Sequence, residues 1–326
     1  MGAVSALEPL SIGRVLWANS LVLMLVSVIA LFSILLPDSY FSLANAQMIS
    51  STNAVLALLA LAAVIPLVSG QFDMSIGFTL ALSQSICAGL IIHSGVPPLI
   101  AGAVVLLIGM VIGLVNGLLV ARAGLNAFIT TLATGIVVQG FAQLYTGGAS
   151  VFGRMPPLFL AWGRDRLLGV PLPLIYVLVV STAMWAILRY TDWGRRCYAI
   201  GGNAKAARLI GIPVERMTVQ VFVASGALAA LAGILSTSIL GSANPNIGLN
   251  YLLPAFAAVF LGAAPAGPGR FNAWGTVVAV YALAAGIGGL QQLGAAFYVE
   301  QFFNGGALLL AVALARWMAV RAAATR

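Results

Sequence analysis

From residue 217 to residue 269 the chain carries no charged side chain, and six more charge-free runs cover 15–36, 39–72, 74–121, 123–153, 167–188 and 271–299. A water-soluble surface cannot be assembled from such runs. Soluble domains carry about a quarter charged residues, whereas 7% are charged here, 62% are hydrophobic and the mean hydropathy is +1.08. Lipid must be the solvent, and the folding unit is a helix of roughly 20 apolar residues.

Several runs exceed one crossing and break at turn-forming clusters. His93-Ser94-Gly95-Val96-Pro97-Pro98 divides one, and Gly241-Ser242-Ala243-Asn244-Pro245-Asn246-Ile247-Gly248 divides another. The division predicts an all-α membrane protein in one transmembrane domain, 1–326, with about ten spans. These lie near 15–36, 47–68, 74–92, 99–121, 127–146, 170–188, 217–239, 251–265, 273–290 and 299–315. The first run, about 22 residues, is longer than the apolar stretch of a usual cleavable signal, so a retained helix is expected despite a weak cleavage-like Ser42-Leu43-Ala44. Cys87 falls in a span and Cys197 in a connecting segment, so no disulfide is expected between them. His93, the single histidine, reads as a polar helix end rather than a metal ligand.

With the N-terminus cytoplasmic, Arg14, Arg122, Arg189, Arg195, Arg196, Lys205, Arg208, Arg216, Arg270, Arg316, Arg321 and Arg326 fall inside. Only Arg154, Arg164 and Arg166 fall outside. This positive-inside asymmetry predicts that both termini are cytoplasmic. It also makes the net charge of +8 a matter of topology, with no nucleic-acid surface implied. Spans two to five and seven to ten then begin on opposite sides, the arrangement of an inverted repeat.

Two connections are long. The outer segment 147–169 carries Arg154, Pro156, Pro157, Arg164, Asp165 and Arg166 and is suited to cap a pore or touch an outside partner. The inner segment 189–216 contains a capped helix near 203–210: Asn203 suits the N-cap, the run from Ala204 through Lys205, Ala207, Arg208 and Leu209 favours helix, Gly211 fits the position after the C-cap, and Pro213 stops continuation. Two turns are unstable alone, so this helix needs its flanking spans or a partner.

Ordered motifs give this chain a family resemblance. Gly70-Gln71-Phe72-Asp73-Met74-Ser75-Ile76-Gly77 resembles a Gly-Gly-Ile-Asp-Leu-Ser-Val-Gly signature of ribose-type ATP-binding cassette (ABC) sugar permeases. Asn116-Gly117-Leu118-Leu119-Val120, Phe128-Ile129-Thr130-Thr131-Leu132, and the run from Gly194 to Gly211-Ile212 follow the same family in order, as do Ala257–Gly262, Gly267, Gly269-Arg270 and Gly275-Thr276. The resemblance spans about 50–315. Gln71, Ala263 and Leu253-Pro254-Ala255 depart from it near the presumed pathway. It implies a monosaccharide importer in the bacterial inner membrane, working with two ABC ATPase domains, a second permease copy or paralogue, and a periplasmic substrate-binding protein. ATP and magnesium would sit on those partners. The residues implied to dock the ATPase are Asn203, Lys205, Ala207, Arg208, Leu209 and Gly211.

The residues themselves agree that the motor lies elsewhere. A phosphate-binding Walker loop needs a glycine-lysine-Ser/Thr sequence, and the single lysine, Lys205, stands between alanines. No cluster of catalytic spacing marks an enzyme. A pathway for a neutral polyhydroxylated solute needs uncharged hydrogen-bonding groups, for which Asn53, Asn126, Thr130, Thr134, Gln139, Gln143, Ser236, Ser238, Asn244, Asn246 and Gln291 are candidates, with Phe72 and Phe128 to cover a sugar ring. Such residues also join helices by hydrogen bonds. Asp73 reads either as a cap of the third span or as an intramembrane functional carboxylate. Gly109, Gly113 and Gly117 form a ridge for close helix packing. The alternatives are an ABC permease for branched-chain amino acids or nucleosides, or a stand-alone secondary carrier.

Overall fold

A computed structural model describes residues 19–263 and 270–324, with 311 and 314–324 as backbone only. It is helical almost throughout. In chain order the helices are α1 (Ser20–Leu35), α2 (Leu43–Thr52), α3 (Ala54–Val68), α4 (Ile76–Ile92), α5 (Pro98–Ala121), α6 (Ala127–Thr146), α7 (Pro157–Arg164), α8 (Leu172–Tyr190), α9 (Asp192–Gly202), α10 (Ala204–Leu209), α11 (Val214–Leu240), α12 (Gly248–Ala263), α13 (Ala273–Gln292) and α14 (Tyr298–Ala324). Four two-residue strands pair as β1 (Val151–Phe152) with β4 (Ser242–Ala243) and β2 (Arg166–Leu167) with β3 (Val170–Pro171), both antiparallel. The arm α9–α10 marks one end of the bundle, called the basic end below. The strands and α7 mark the opposite end.

Among the described residues five helices, α5, α6, α8, α11 and α13, are long and apolar enough to cross a membrane, and α2 with α3 makes a sixth candidate, bent by 43°. The predicted second span, 47–68, is thus not one straight helix. Asn53 stands at the break, where its Nδ2 donates to the Ile49 carbonyl (2.9 Å) and its side chain caps the end of α2. The helices α1, α4 and α12, at 16, 17 and 16 residues, are apolar but shorter. Prolines open α5 and α7 at positions whose N–H would have no intrahelical partner.

Packing follows the solvent. Helix α5 presents Leu107, Val111, Leu114 and Val115 outward and turns Gly109, Gly113 and Gly117 inward against α11. A Cβ at Gly109 or Gly113 would collide with the backbone of Gly226 or Phe222, and one at Gly117 would come within 2.7 Å of the Val219 Cα. In lipid, close van der Waals packing of this kind is the main force between helices, since burial from lipid gains little hydrophobic energy. Helices α3 and α4 are enclosed by their neighbours along nearly all their length. Cys87 and Cys197 are both buried free thiols.

Candidate functional site

The arm at the basic end folds as its caps dictate. Asn203 Oδ1 accepts from the Ala206 N–H at 3.0 Å, opening α10, and Gly211, at φ +85°, takes the left-handed position after Ile210. Arg208 Nη2 reaches Glu215 Oε1 of α11 at 2.5 Å, and Ala207 is buried beneath the helix. Leu209 and Ile210 stand out at 89% and 76% exposure. Lys205 is exposed as well. Leu209 ends the six-residue helix and Ile210 is its C-cap, so two adjacent aliphatic side chains face outward at this tip. Ahead of it lies α9, a helix absent from the sequence expectation. Thr191 caps it by accepting from the Gly194 N–H. Gly194 and Gly201 let its backbone press on Leu188 and Val68. Burial pushes the Cys197 thiol on α9 up to about 12, so it stays protonated and acts in packing.

A closed polar network lies above the arm. Asp73 is fully buried. Its Oδ1 accepts from the Ser75 N–H (3.0 Å) and Ser75 Oγ (2.6 Å), and its Oδ2 accepts from Ser225 Oγ of α11 (2.8 Å). Asn116 Nδ2 of α5 donates to Ser75 Oγ (2.8 Å), and Thr134 Oγ1 of α6 donates to Asn116 Oδ1 (2.6 Å). Thr131 Oγ1 accepts from the Met74 N–H at 2.8 Å. Asp73 therefore holds Ser75, the residue that opens α4, and ties it to α11. The N-cap of α4 is Ser75, with no side-chain cap bond of its own, and the Asp73 carboxylate bridges that residue to α11.

The opposite end holds a second, open network. Gln84 of α4, fully buried, donates from Nε2 to Ser236 Oγ (2.9 Å), and its Oε1 accepts from the Asn244 N–H (3.1 Å). Gln139 Nε2 of α6 donates to the Pro245 carbonyl (2.7 Å) and to Asn246 Oδ1 (2.9 Å), which also accepts from Gln143 Nε2 (3.1 Å). Gln143, Asn244 and Asn246 are exposed, whereas the Oε1 of Gln139 is buried with no partner among the described residues. Ser238 donates to the Phe159 carbonyl and belongs to the seam with α7.

The aromatic candidates meet at the basic end. Phe72 lies edge-on to Phe128 with centroids 6.4 Å apart and stacks on Phe256 and Phe260, each at 6.2 Å. Other candidates stay apart. Asn126 caps α6 by accepting from the Ile129 N–H, Thr130 is buried on α6, Asn53 bonds within its own turn, and Gln291 Nε2 donates to Glu300 at the α13–α14 turn. Sequence reasoning missed Gln84, Asn116, Ser225 and the phenylalanines of α12. An amide inside an apolar span was the available signal for Gln84 and Asn116, since burying one unpaired in lipid is expensive.

Comparison with known proteins decides the family. Residues 45–313 match the family described as the branched-chain amino acid transport system permease component. The chain belongs to this permease family. It is 38% identical to the ribose import permease protein RbsC of Bacillus subtilis over 264 residues, 81% of this chain and 82% of that one. RbsC of Escherichia coli K12 is 36% identical over 90% and 92% of the two chains. The autoinducer 2 import system permease protein LsrD of Yersinia enterocolitica is 32% identical over 91% and 90%. The ABC permease resemblance drawn from the motifs thus holds across nearly the whole length. The chain is a multi-pass membrane transport subunit and not an enzyme.

Proposed function

We propose that this chain carries a monosaccharide or a similar small polyhydroxylated solute inward across the bacterial inner membrane, driven by separate ABC ATPase subunits. The observation that carries the reading is α10: a capped helix with Leu209 and Ile210 exposed, fixed by Arg208–Glu215 to the helix that holds Asp73 through Ser225. An ATPase seated on α10 would move α11, and α11 grips the start of α4. Asn203, Lys205, Arg208 and Leu209 make the contact, while Ala207 and Gly211 fix its shape.

The remaining architecture follows in the same reading. The chain is a single domain of ten crossings in an inverted repeat, namely the five long helices, the bent pair α2–α3, the shorter α1, α4 and α12, and α14. Its basic end and both termini are cytoplasmic, supported by the charge asymmetry, and 147–169 faces the periplasm. There a substrate-binding protein delivers the solute, and a second permease copy or paralogue completes the pathway. Gln139, Gln143, Asn244 and Asn246 offer neutral amides, with the unpartnered Gln139 acceptor suited to a hydroxyl. Phe72 and Phe128 wait at the inner exit. Relatives named for ribose and autoinducer 2 import support the solute class. A branched-chain amino acid is the second reading, favoured by the matched family's description. A zwitterion would need fixed charges that the amide cluster lacks.

The test is a ligand screen on the cognate binding protein, followed by vesicle uptake of the hit with and without ATP. A sugar-like hit taken up only with ATP is expected. Uptake indifferent to ATP overturns the proposal, and an aliphatic amino acid hit selects the second reading.

A further inference from the structure

At the basic end, between α9 and the start of α13 and beneath the ends of α3 and α8, lies a cavity of about 1070 Å³. Arg189, Arg195 and Arg270 line it, with Trp185, Trp274 and Tyr198. Among the described residues no carboxylate does. Among the described residues Asp192 pairs with Arg195, while Arg189 and Arg270 form no ion pair. Arg189 is instead held over two ring faces, 5.9 Å from the Trp185 centroid and 5.8 Å from that of Tyr190. The Tyr198 hydroxyl donates to the Phe271 carbonyl at 2.7 Å, tying α9 to the segment that carries Arg270.

Basic residues are ordinary at a cytoplasmic membrane surface. Arg196, Arg208 and Arg216 fit that description, being exposed and outside this cavity. Arg189, Arg195 and Arg270 differ because they converge on one concave space rimmed by tryptophan. Tryptophan prefers the depth of lipid headgroups, and guanidinium matches phosphate oxygens with two parallel hydrogen bonds. The excess positive charge favours a ligand with net negative charge. A zwitterionic headgroup would place an ammonium among arginines with no free carboxylate to receive it.

We propose that this cavity binds the headgroup of an anionic phospholipid, with Arg189 and Arg270 taking the phosphate and Trp185 and Trp274 flanking it at the bilayer surface. A lipid held there joins α8 and α9 to the start of α13. Because the site needs only a membrane boundary at this end, it stands apart from the question of which solute is carried.

The test uses the full chain in detergent, with retained lipid counted by native mass spectrometry after incubation with dioleoyl phosphatidylglycerol or dioleoyl phosphatidylcholine. Phosphatidylglycerol should be retained about tenfold better, from roughly tenfold per 1.4 kcal/mol and a basic residue's usual attraction to anionic lipid. The pair Arg189→Gln with Arg270→Gln should fall to the phosphatidylcholine level, Arg189→Lys with Arg270→Lys should keep most of the preference, and Arg122→Gln should keep all of it. If the glutamine pair does not fold, Arg270→Gln alone should lose about threefold. Equal retention of the two lipids overturns the proposal, as does a preference that survives in the glutamine variants. Displacement of phosphatidylglycerol by equimolar inorganic phosphate would assign the cavity to a soluble anion and overturn it too.

Discussion

The two ends of α4 carry polar networks of opposite character. At the basic end Asp73, Ser75, Asn116 and Ser225 are buried and mutually satisfied. At the opposite end Gln84 is buried, but its network runs outward through Asn244 and Asn246 to exposed amides and leaves one Gln139 acceptor free. A satisfied buried network is rigid, because losing any member strands the others without water to replace it. An open network can exchange partners for water or solute at small cost. In the proposed transport reading, the closed network would transmit force and the open one would admit a solute.

This contrast is broken most severely by crowding the seam behind the closed network. Gly113→Val would drive a side chain into the Phe222 backbone and is expected to destabilise by about 3 kcal/mol or more, seen as loss of the folded permease from detergent extracts by size-exclusion chromatography. Asp73→Ala strands the Ser75 and Ser225 hydroxyls. About 2–3 kcal/mol is expected, read as a lowered Tm, with Asp73→Asn milder because it keeps acceptor capacity. The open network should respond differently. Gln139→Ala with Gln143→Ala should move stability by less than ~1 kcal/mol yet lower ATP-driven uptake several-fold at subsaturating solute. Equal loss of Tm at the two ends would erase the distinction.

How much of this was legible in the sequence follows from the range of the forces. α10 was readable because Asn203, Gly211 and Pro213 act within a few residues. The glycine ridge of α5 was readable from its spacing, and the apolar runs from lipid's demand that backbone polar groups be satisfied within the helix. α9 was hidden because Gly194, Gly201 and Gly202 argue against helix locally, and the close approach of the first two to Leu188 and Val68 shows only in the fold. The bend at Asn53 left no proline or glycine signal. Asn116 and Gln84 find partners 41 and 152 residues away, so their sequence surroundings show only an amide in an apolar run. Among the pathway candidates, Gln139 and Gln143 of α6 converge with the α11–α12 connection, whereas Thr130, Asn53 and Gln291 do not, a distinction that only folding makes.

In the proposed coupling, force from a docked ATPase reaches the closed network through α10. Its most direct test is Arg208→Glu with Leu209→Ala in the complete transporter, scored by ATPase co-purification and ATP-driven uptake together. Loss of both is expected, with the Tm of the permease preserved within about 2 °C, since both side chains are exposed and surface changes usually stay within ~0.5 kcal/mol. Intact co-purification and intact uptake would contradict it.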